Sequence, residues 1–282
     1  NKNIEGTSMV SVRNMNRVAS YGSDSNASGS DNYVFGGLVN VDYIVNEDLF
    51  FGAGVGGFES KSSGRGVAGD ADAESVVLNA YGDYAFAENF DWYFGATYSF
   101  NMNEAERTDS AGGIAKQDWD SHTIGMFTGV RYTWKPLENQ EFYVKPLVGV
   151  NANFVLGEDS TSRGAGAADT ISTDIGDYTS FKSVVGVELT YDFSNGFYLA
   201  GRMLYTHEFA DDSYDFNASM MGVNTANGTF RVRGNEVDRD AGILSIGAGY
   251  SFNENWSAYL DYAAEITSDV FHNINAGIQY KF

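Results

Sequence analysis

The feature that most constrains this chain is an alternation of apolar and polar side chains that recurs, segment after segment, to its last residue. A strand sends successive side chains to opposite faces, so each segment builds one greasy face and one wet face. In 32–45, Tyr33, Phe35, Val39, Val41 and Tyr43 share a face while Asn40 and Asp42 take the other. In 91–104, Trp92, Phe94, Ala96, Tyr98 and Phe100 oppose Thr97, Ser99 and Asn101, and in 179–193, Val185, Val187, Leu189, Tyr191 and Phe193 oppose Lys182, Glu188, Thr190 and Asp192. Twelve such segments can be marked: 17–23, 32–45, 49–60, 74–86, 91–104, 119–134, 141–156, 179–193, 197–209, 241–252, 256–266 and 270–282. Thirty-three glycines, eighteen tyrosines and twenty phenylalanines against two prolines suit close-packed strands with few ladder breakers.

A soluble sandwich shows the same period, but its apolar faces meet in a core of Ile, Leu and Val. Here the apolar faces are capped by rings near the segment ends, among them Tyr132 and Trp134, Phe142 and Phe154, Tyr250 and Phe252, and Trp256 and Tyr262. Two aromatic girdles around an apolar waist describe a wall that faces lipid, since amphipathic rings settle at headgroup level. The wet faces carry Asp, Glu, Asn, Lys and Arg, which a closed barrel hydrates in its lumen. No apolar run approaches the ~20 residues of a membrane helix.

The connections test this independently, because outer-membrane barrels have short periplasmic turns and long outer loops. VNED (45–48), AEN (87–89), PLENQ (136–140), SNG (194–196) and NEN (253–255) are short. Between them come 22–31, 61–73, 105–118, 157–178 and 210–240, long and rich in Gly, Ser, Ala and Asp, with one tight outer turn near 267–269. The expectation is a twelve-stranded antiparallel transmembrane outer-membrane β-barrel over 17–282, all-β, with both of its ends at the periplasmic rim.

Residues 1–16, NKNIEGTSMVSVRNMN, break the pattern. Thr7 or Ser8 at a helix start and Arg13 followed four residues later by Arg17 predict a short α-helix over 1–16 lying in the lumen, with a frayed terminus as the alternative. Arg13, Asn14 and Arg17 would then face inward carboxylates, with Asp42, Asp83, Glu188, Asp192, Asp261 and Glu265 as candidates.

The net charge of -21 argues against nucleic acid, and zero cysteines removes disulfides and thiolate chemistry. GAGVGG at 52–57 matches a dinucleotide fingerprint, yet it lies in a strand and opens no helix, so it reads as small residues in a barrel wall. His122, His207 and His272 show no metal-ligand spacing; His207–Glu208 begins like HExxH but position 211 is Asp. Neither a metal nor a cofactor is expected.

With these features in place the chain resembles the C-terminal translocator domain of bacterial autotransporters, type V secretion, across essentially its whole length. The resemblance is carried by FGGLVNVDY (35–43), LFFGAGVGG (49–57), LYTHEFADD (204–212), the block RDAGILSIGAGYSFNENWSAYLDYAAE (239–265) and the terminal INAGIQYKF (274–282). It implies a barrel of the bacterial outer membrane that exports an N-terminal passenger, with the linker left in the pore. It also implies that Ile274, Ala276, Ile278, Tyr280 and Phe282 are a signal read by the outer-membrane assembly machinery. The expected partners are outer-membrane lipid and lipopolysaccharide, the chain's own passenger and that machinery, with the barrel itself monomeric. Some relatives cut the passenger free between two asparagines; 1–16 holds no such pair, and no catalytic residue is carried over. The alternatives are a general diffusion porin, whose lumen would need no linker, and an adhesin or enzyme barrel working through the loops.

Overall fold

The computed structural model describes residues 6–23, 28–65, 69–109, 111–164, 170–210, 213–220, 229–236 and 238–282. In chain order its strands are β1 (Thr7–Tyr21), β2 (Ser30–Ile44), β3 (Leu49–Gly64), β4 (Asp70–Ala87), β5 (Phe90–Thr108), β6 (Ile114–Tyr132), β7 (Glu141–Gly157), β8 (Ser160–Ser162), β9 (Ile171–Asp174), β10 (Asp177–Asp192), β11 (Phe197–Glu208), β12 (Ser213–Met220), β13 (Thr229–Glu236), β14 (Asp240–Ser251), β15 (Trp256–Ile266) and β16 (Val270–Lys281). Twelve of them close a barrel in the order β1-β16-β15-β14-β11-β10-β7-β6-β5-β4-β3-β2, while β13, β12, β9 and β8 form a separate four-stranded sheet. Every barrel pairing is antiparallel, including the seam where Arg13 lies opposite Gly277 and Arg17 opposite Asn273. Closure removes the unpaired strand edges that lipid cannot hydrogen-bond.

The expected turns form where the sequence placed them, and side chains explain why. Asn195 Oδ1 accepts the Phe197 N–H at 3.0 Å, Asn253 Oδ1 accepts the N–H groups of Asn255 and Trp256 at 2.9 and 2.8 Å, and Asn46 Oδ1 accepts that of Asp48 at 3.0 Å. Asn89 and Ser194 take positive φ, the region an Asx or short polar residue tolerates in a tight turn. The outward face is apolar and exposed: Phe35, Val148, Ile246 and Leu260 are each more than half exposed, an arrangement that water would penalise and hydrocarbon favours. Rings collect at the periplasmic rim, as in Tyr191 against Phe193 (4.6 Å between centroids) and Trp256 against Tyr280 (4.8 Å). At the opposite rim Tyr98 and Tyr262 hydrogen-bond the Nδ1 atoms of His122 and His272 at 2.8 and 2.7 Å.

Two expectations need correction. Residues 7–16 are not a helix in the lumen; they are the first two thirds of β1, and the barrel therefore starts at Thr7 rather than at 17. Residues 1–5 lie outside the described residues. The reason is closure: a wall strand must offer its ladder to β2 and β16 along the whole span, and 17–23 alone is too short for the roughly 9–11 residues a membrane strand needs. The four-residue step from Arg13 to Arg17 also puts both on one face of a strand, so it does not distinguish the two structures.

The second correction concerns the loops. β4, β5 and β6 run for 18 and 19 residues, so the expected loops 61–73 and 105–118 are largely strand. Their upper halves are wet on the outward face too, where Lys116 bonds Glu104 at 3.2 Å and also contacts Glu106. The outer sheet hangs from this extension, because Lys116 and Arg163 exchange backbone hydrogen bonds at 3.3 and 2.9 Å. Beyond the lipid belt the last outer turn is tied down by Asp238, which accepts from Ser268 N–H at 2.9 Å and Ser268 Oγ at 2.5 Å. These two donors hold the Asp238 carboxyl below its usual range.

Candidate functional site

Strand parity turns one residue in two toward the lumen, and ladder partners share a face, so the inward set follows from the register. It contains Arg13 and Arg17 of β1, Asn40 and Asp42 of β2, Asn79, Tyr81 and Asp83 of β4, Asp91 and Tyr93 of β5, Arg131 of β6, Glu188 of β10 and Arg202 of β11. These residues come from seven of the twelve wall strands.

Arg131 is the hub. Its guanidinium contacts the Asp83 carboxylate, stands 3.5 Å from Asp91 through Nε and 3.5 Å from Glu188 through Nη1, and lies 5.7 Å above the Tyr93 ring. Glu188 carries the network on to Arg202 Nη2 at 2.7 Å. About a fifth of the Arg131 side chain is exposed (21%), so these pairs are screened less than surface ones. A planar guanidinium with five donors serves three carboxylates at once, which a lysine ammonium on its flexible stem does poorly.

A second cluster shows what the GAGVGG run is for. Asp42 and Asn40, on β2, are 2% and 0% exposed, and they meet residues of β4 rather than of their neighbour β3. Tyr81 donates its hydroxyl to Asp42 Oδ1 at 2.5 Å and Asn79 Nδ2 donates to Asn40 Oδ1 at 3.1 Å. Between them, on β3, stand Gly52 and Gly54: a Cβ on Gly54 would come within 2.6 Å of Asn79 Oδ1 and 2.7 Å of the Val39 carbonyl. The bare backbone of β3 lets two strands on either side reach across it. Gly125 between Thr97 and Asn153 repeats the device.

Most of the expected site residues sit on this lumenal face, though not as one constellation. Arg17 pairs with Glu265 at 3.1 Å and lies 5.1 Å over the Phe271 ring, while Arg13 stands 5.9 Å over the Tyr259 ring. Asp83 and Glu188 join Arg131, Asp42 joins Tyr81, and Asp261 accepts from Asn275 Nδ2 at 3.0 Å. Asp192 instead caps the turn after β10, accepting Ser194 N–H at 2.9 Å. Asn14 is not lumenal: its parity is opposite to that of Arg13, so it faces lipid, where it donates to the Gly36 carbonyl at 3.1 Å and accepts from Asn16 at 2.5 Å. Ile274, Ala276, Ile278 and Tyr280 all point outward from β16, and Phe282 follows the strand, its N–H bonded to the Ser8 carbonyl at 2.9 Å and its ring against Tyr280.

The hub itself, Arg131 with Arg202, was absent from the expected set, although the alternation of Val130, Arg131 and Tyr132 carried the signal. His207 bonds Asp240 at 2.7 Å on the outward side near the outer rim. Among the described residues no group of three or more His, Cys, Asp or Glu has the spacing to hold a metal ion.

Against known proteins, residues 11–263 match the family model described as "Autotransporter beta-domain". The YaiT protein of Escherichia coli strain K12 is 24% identical over 278 residues, covering 94% of this chain and 26% of its own length. The chain thus spans about a quarter of the curated relatives it matches. Among solved structures, the translocator domain of the autotransporter NalP from Neisseria meningitidis superposes with a TM-score of 0.81 at 13% identity, over 100% of this chain and 90% of that one. The β domain of the Bordetella autotransporter BrkA gives 0.68 at 13% identity, over 99% and 100%.

Proposed function

The chain belongs to the autotransporter β-domain family, and from that premise we propose that its polar lumen is the path along which a passenger's connecting segment is drawn and then held. The barrel is an outer-membrane translocator domain for passenger export. Its work is physical: a closed ladder spares lipid any unpaired backbone group, and the lumen offers donors and acceptors to a polypeptide that has none in hydrocarbon.

The observation that carries this reading is the lumenal band around Arg131, bordering a cavity of about 550 Å³ that also touches Arg13, Asn79, Tyr81 and Glu188. Arg13, Arg131 and Arg202 stand among Asp83 and Glu188 around it, so a passing chain meets charges of both signs between apolar side chains and no one-sided field that would trap it. β1 starts at the periplasmic rim, so a passenger attached ahead of it enters the wall's lower end and reaches the exterior by rising past Arg13 and Arg17. Asp42, Asp83, Glu188, Asp261 and Glu265 face the same path from the other strands. The outward residues of β16, ending in Phe282, are the address read by the assembly machinery; lipopolysaccharide covers the outer belt, and the closed ladder leaves the barrel monomeric. No enzymatic step belongs to this reading.

The test is to fuse an epitope-tagged passenger ahead of residue 1 and treat intact cells with protease. Cleavage of the tag from the surface, with the barrel folded in the outer membrane, is expected. A tag that stays protected beneath a folded, conducting barrel would replace export with a diffusion pore.

A further inference from the structure

The lipid-facing wall holds a groove that export does not use. Across β2 to β7 the ladder aligns Val41, Ala53, Ala80, Ala96, Met126 and Ala152 in one outward row. The next row toward the outer face, Val39, Val55, Leu78, Tyr98, Ile124 and Phe154, is bulky throughout, and Tyr43, Phe51 and Phe94 stand on the periplasmic side. The four alanines of the row between them leave a channel of about 910 Å³ whose floor is the sheet itself, at Gly52 and Gly95.

Its chemistry excludes polar occupants. Trp92 Nε1 donates to Thr128 Oγ1 at 2.7 Å, the Tyr81 hydroxyl is turned away to Asp42, and Tyr43 stands at the periplasmic edge. The channel is cut into the belt that hydrocarbon covers in an outer-membrane barrel, so hydrocarbon is what reaches it. From β3 to β7 it runs four strand spacings, about 19 Å at ~4.8 Å each. It also climbs: Ala53 is four residues above the start of β3 and Ala152 eleven above the start of β7. An oblique channel of that length rising from the periplasmic side matches one leaflet, half of a hydrocarbon core ~30 Å thick.

We infer that this groove binds one acyl chain of a periplasmic-leaflet phospholipid as an ordered lipid that exchanges slowly with the bulk. Released from phosphatidylethanolamine–phosphatidylglycerol vesicles into detergent and weighed by native mass spectrometry, the whole chain should retain one phospholipid. The double variant Ala80→Leu/Ala96→Leu should lower that retention at least tenfold, whereas Ala248→Leu, outward on β14 across the barrel, should leave it unchanged. Equal retention by all three would overturn the proposal, as would retention of lipopolysaccharide or of a second protein in the lipid's place when the protein comes from native membranes. Should the double variant not fold, two single-tryptophan chains decide. On dilution into lipid brominated at mid-chain, Trp256 should be quenched at once and Trp92 only after a lag. Simultaneous quenching would overturn the proposal.

Discussion

Substituting the glycines of GAGVGG one at a time separates the structural account of that run from any other. Gly52 and Gly54 face the lumen and lie beneath side chains that cross β3, while Gly57 faces out, and the nearest atom to a Cβ there is the Ser75 carbonyl at 3.9 Å. In Gly54→Ala the new methyl meets Asn40 Oδ1, comes within 2.6 Å of Asn79 Oδ1 and approaches the Val39 carbonyl to 2.7 Å. The Asn79–Asn40 hydrogen bond is lost at about 1 kcal/mol, and crowding against backbone adds about 1–3 kcal/mol. A gain of about 0.4–1 kcal/mol from a stiffer unfolded chain offsets part of this. The net loss is about 1–3.6 kcal/mol, roughly 5- to 370-fold in the folding equilibrium. Gly57→Ala should stay within about 0.5 kcal/mol of the parent or gain slightly. Urea titration of the barrel in phospholipid vesicles, followed by tryptophan fluorescence and by heat-modifiable gel mobility, measures both. Equal midpoints for the two variants would refute the idea that β3 is bare so that β2 and β4 can meet across it.

Arg131→Ala strands Asp83 and Asp91 in a half-buried site and leaves Glu188 with Arg202 alone; a loss of about 2–4 kcal/mol is expected, together with greater cation preference in planar-bilayer recordings. Unchanged selectivity would remove Arg131 from the conducting path. Phe282→Ala removes a ring that is 70% exposed and touches Tyr280, so the folded barrel should lose less than about 1 kcal/mol while its inserted amount in cells falls several-fold. Full insertion of the variant would discard the address. Asp238 has a depressed carboxyl pKa, so its tie to Ser268 is in full force above the ordinary value of 3.8 and is lost as pH falls through the lower folded value. The Ser268 amide resonance should therefore shift with a midpoint below 3.8, and Asp238→Asn should abolish the shift; a midpoint above 3.8 would contradict the contact.

How much was legible depends on the range of the interaction. Eleven of the twelve wall strands lie close to where the alternation put them, because facing is a local matter of period two. β1 was misread beyond Arg17, where Asn14 and Asn16 interrupt the apolar set and the spacing of Arg13 and Arg17 suits a helix and a strand alike. The polar lumen was also legible: once a strand is granted, Arg13, Asp42, Asp83, Glu188, Asp261 and Glu265 must share a side.

The amino-acid sequence by itself determined that this protein is a strand-built wall with one face for lipid and one for water, because side-chain direction depends only on the residue's place in its own strand. Only the tertiary structure decided which inward groups meet. Arg17 finds Glu265 across 248 residues of chain, and Arg131 gathers Asp83, Asp91 and Glu188 from three other strands. Those meetings depend on register and on the closing of β1 against β16. Both are set by hydrogen-bond ladders between distant segments, and no single strand's pattern encodes them.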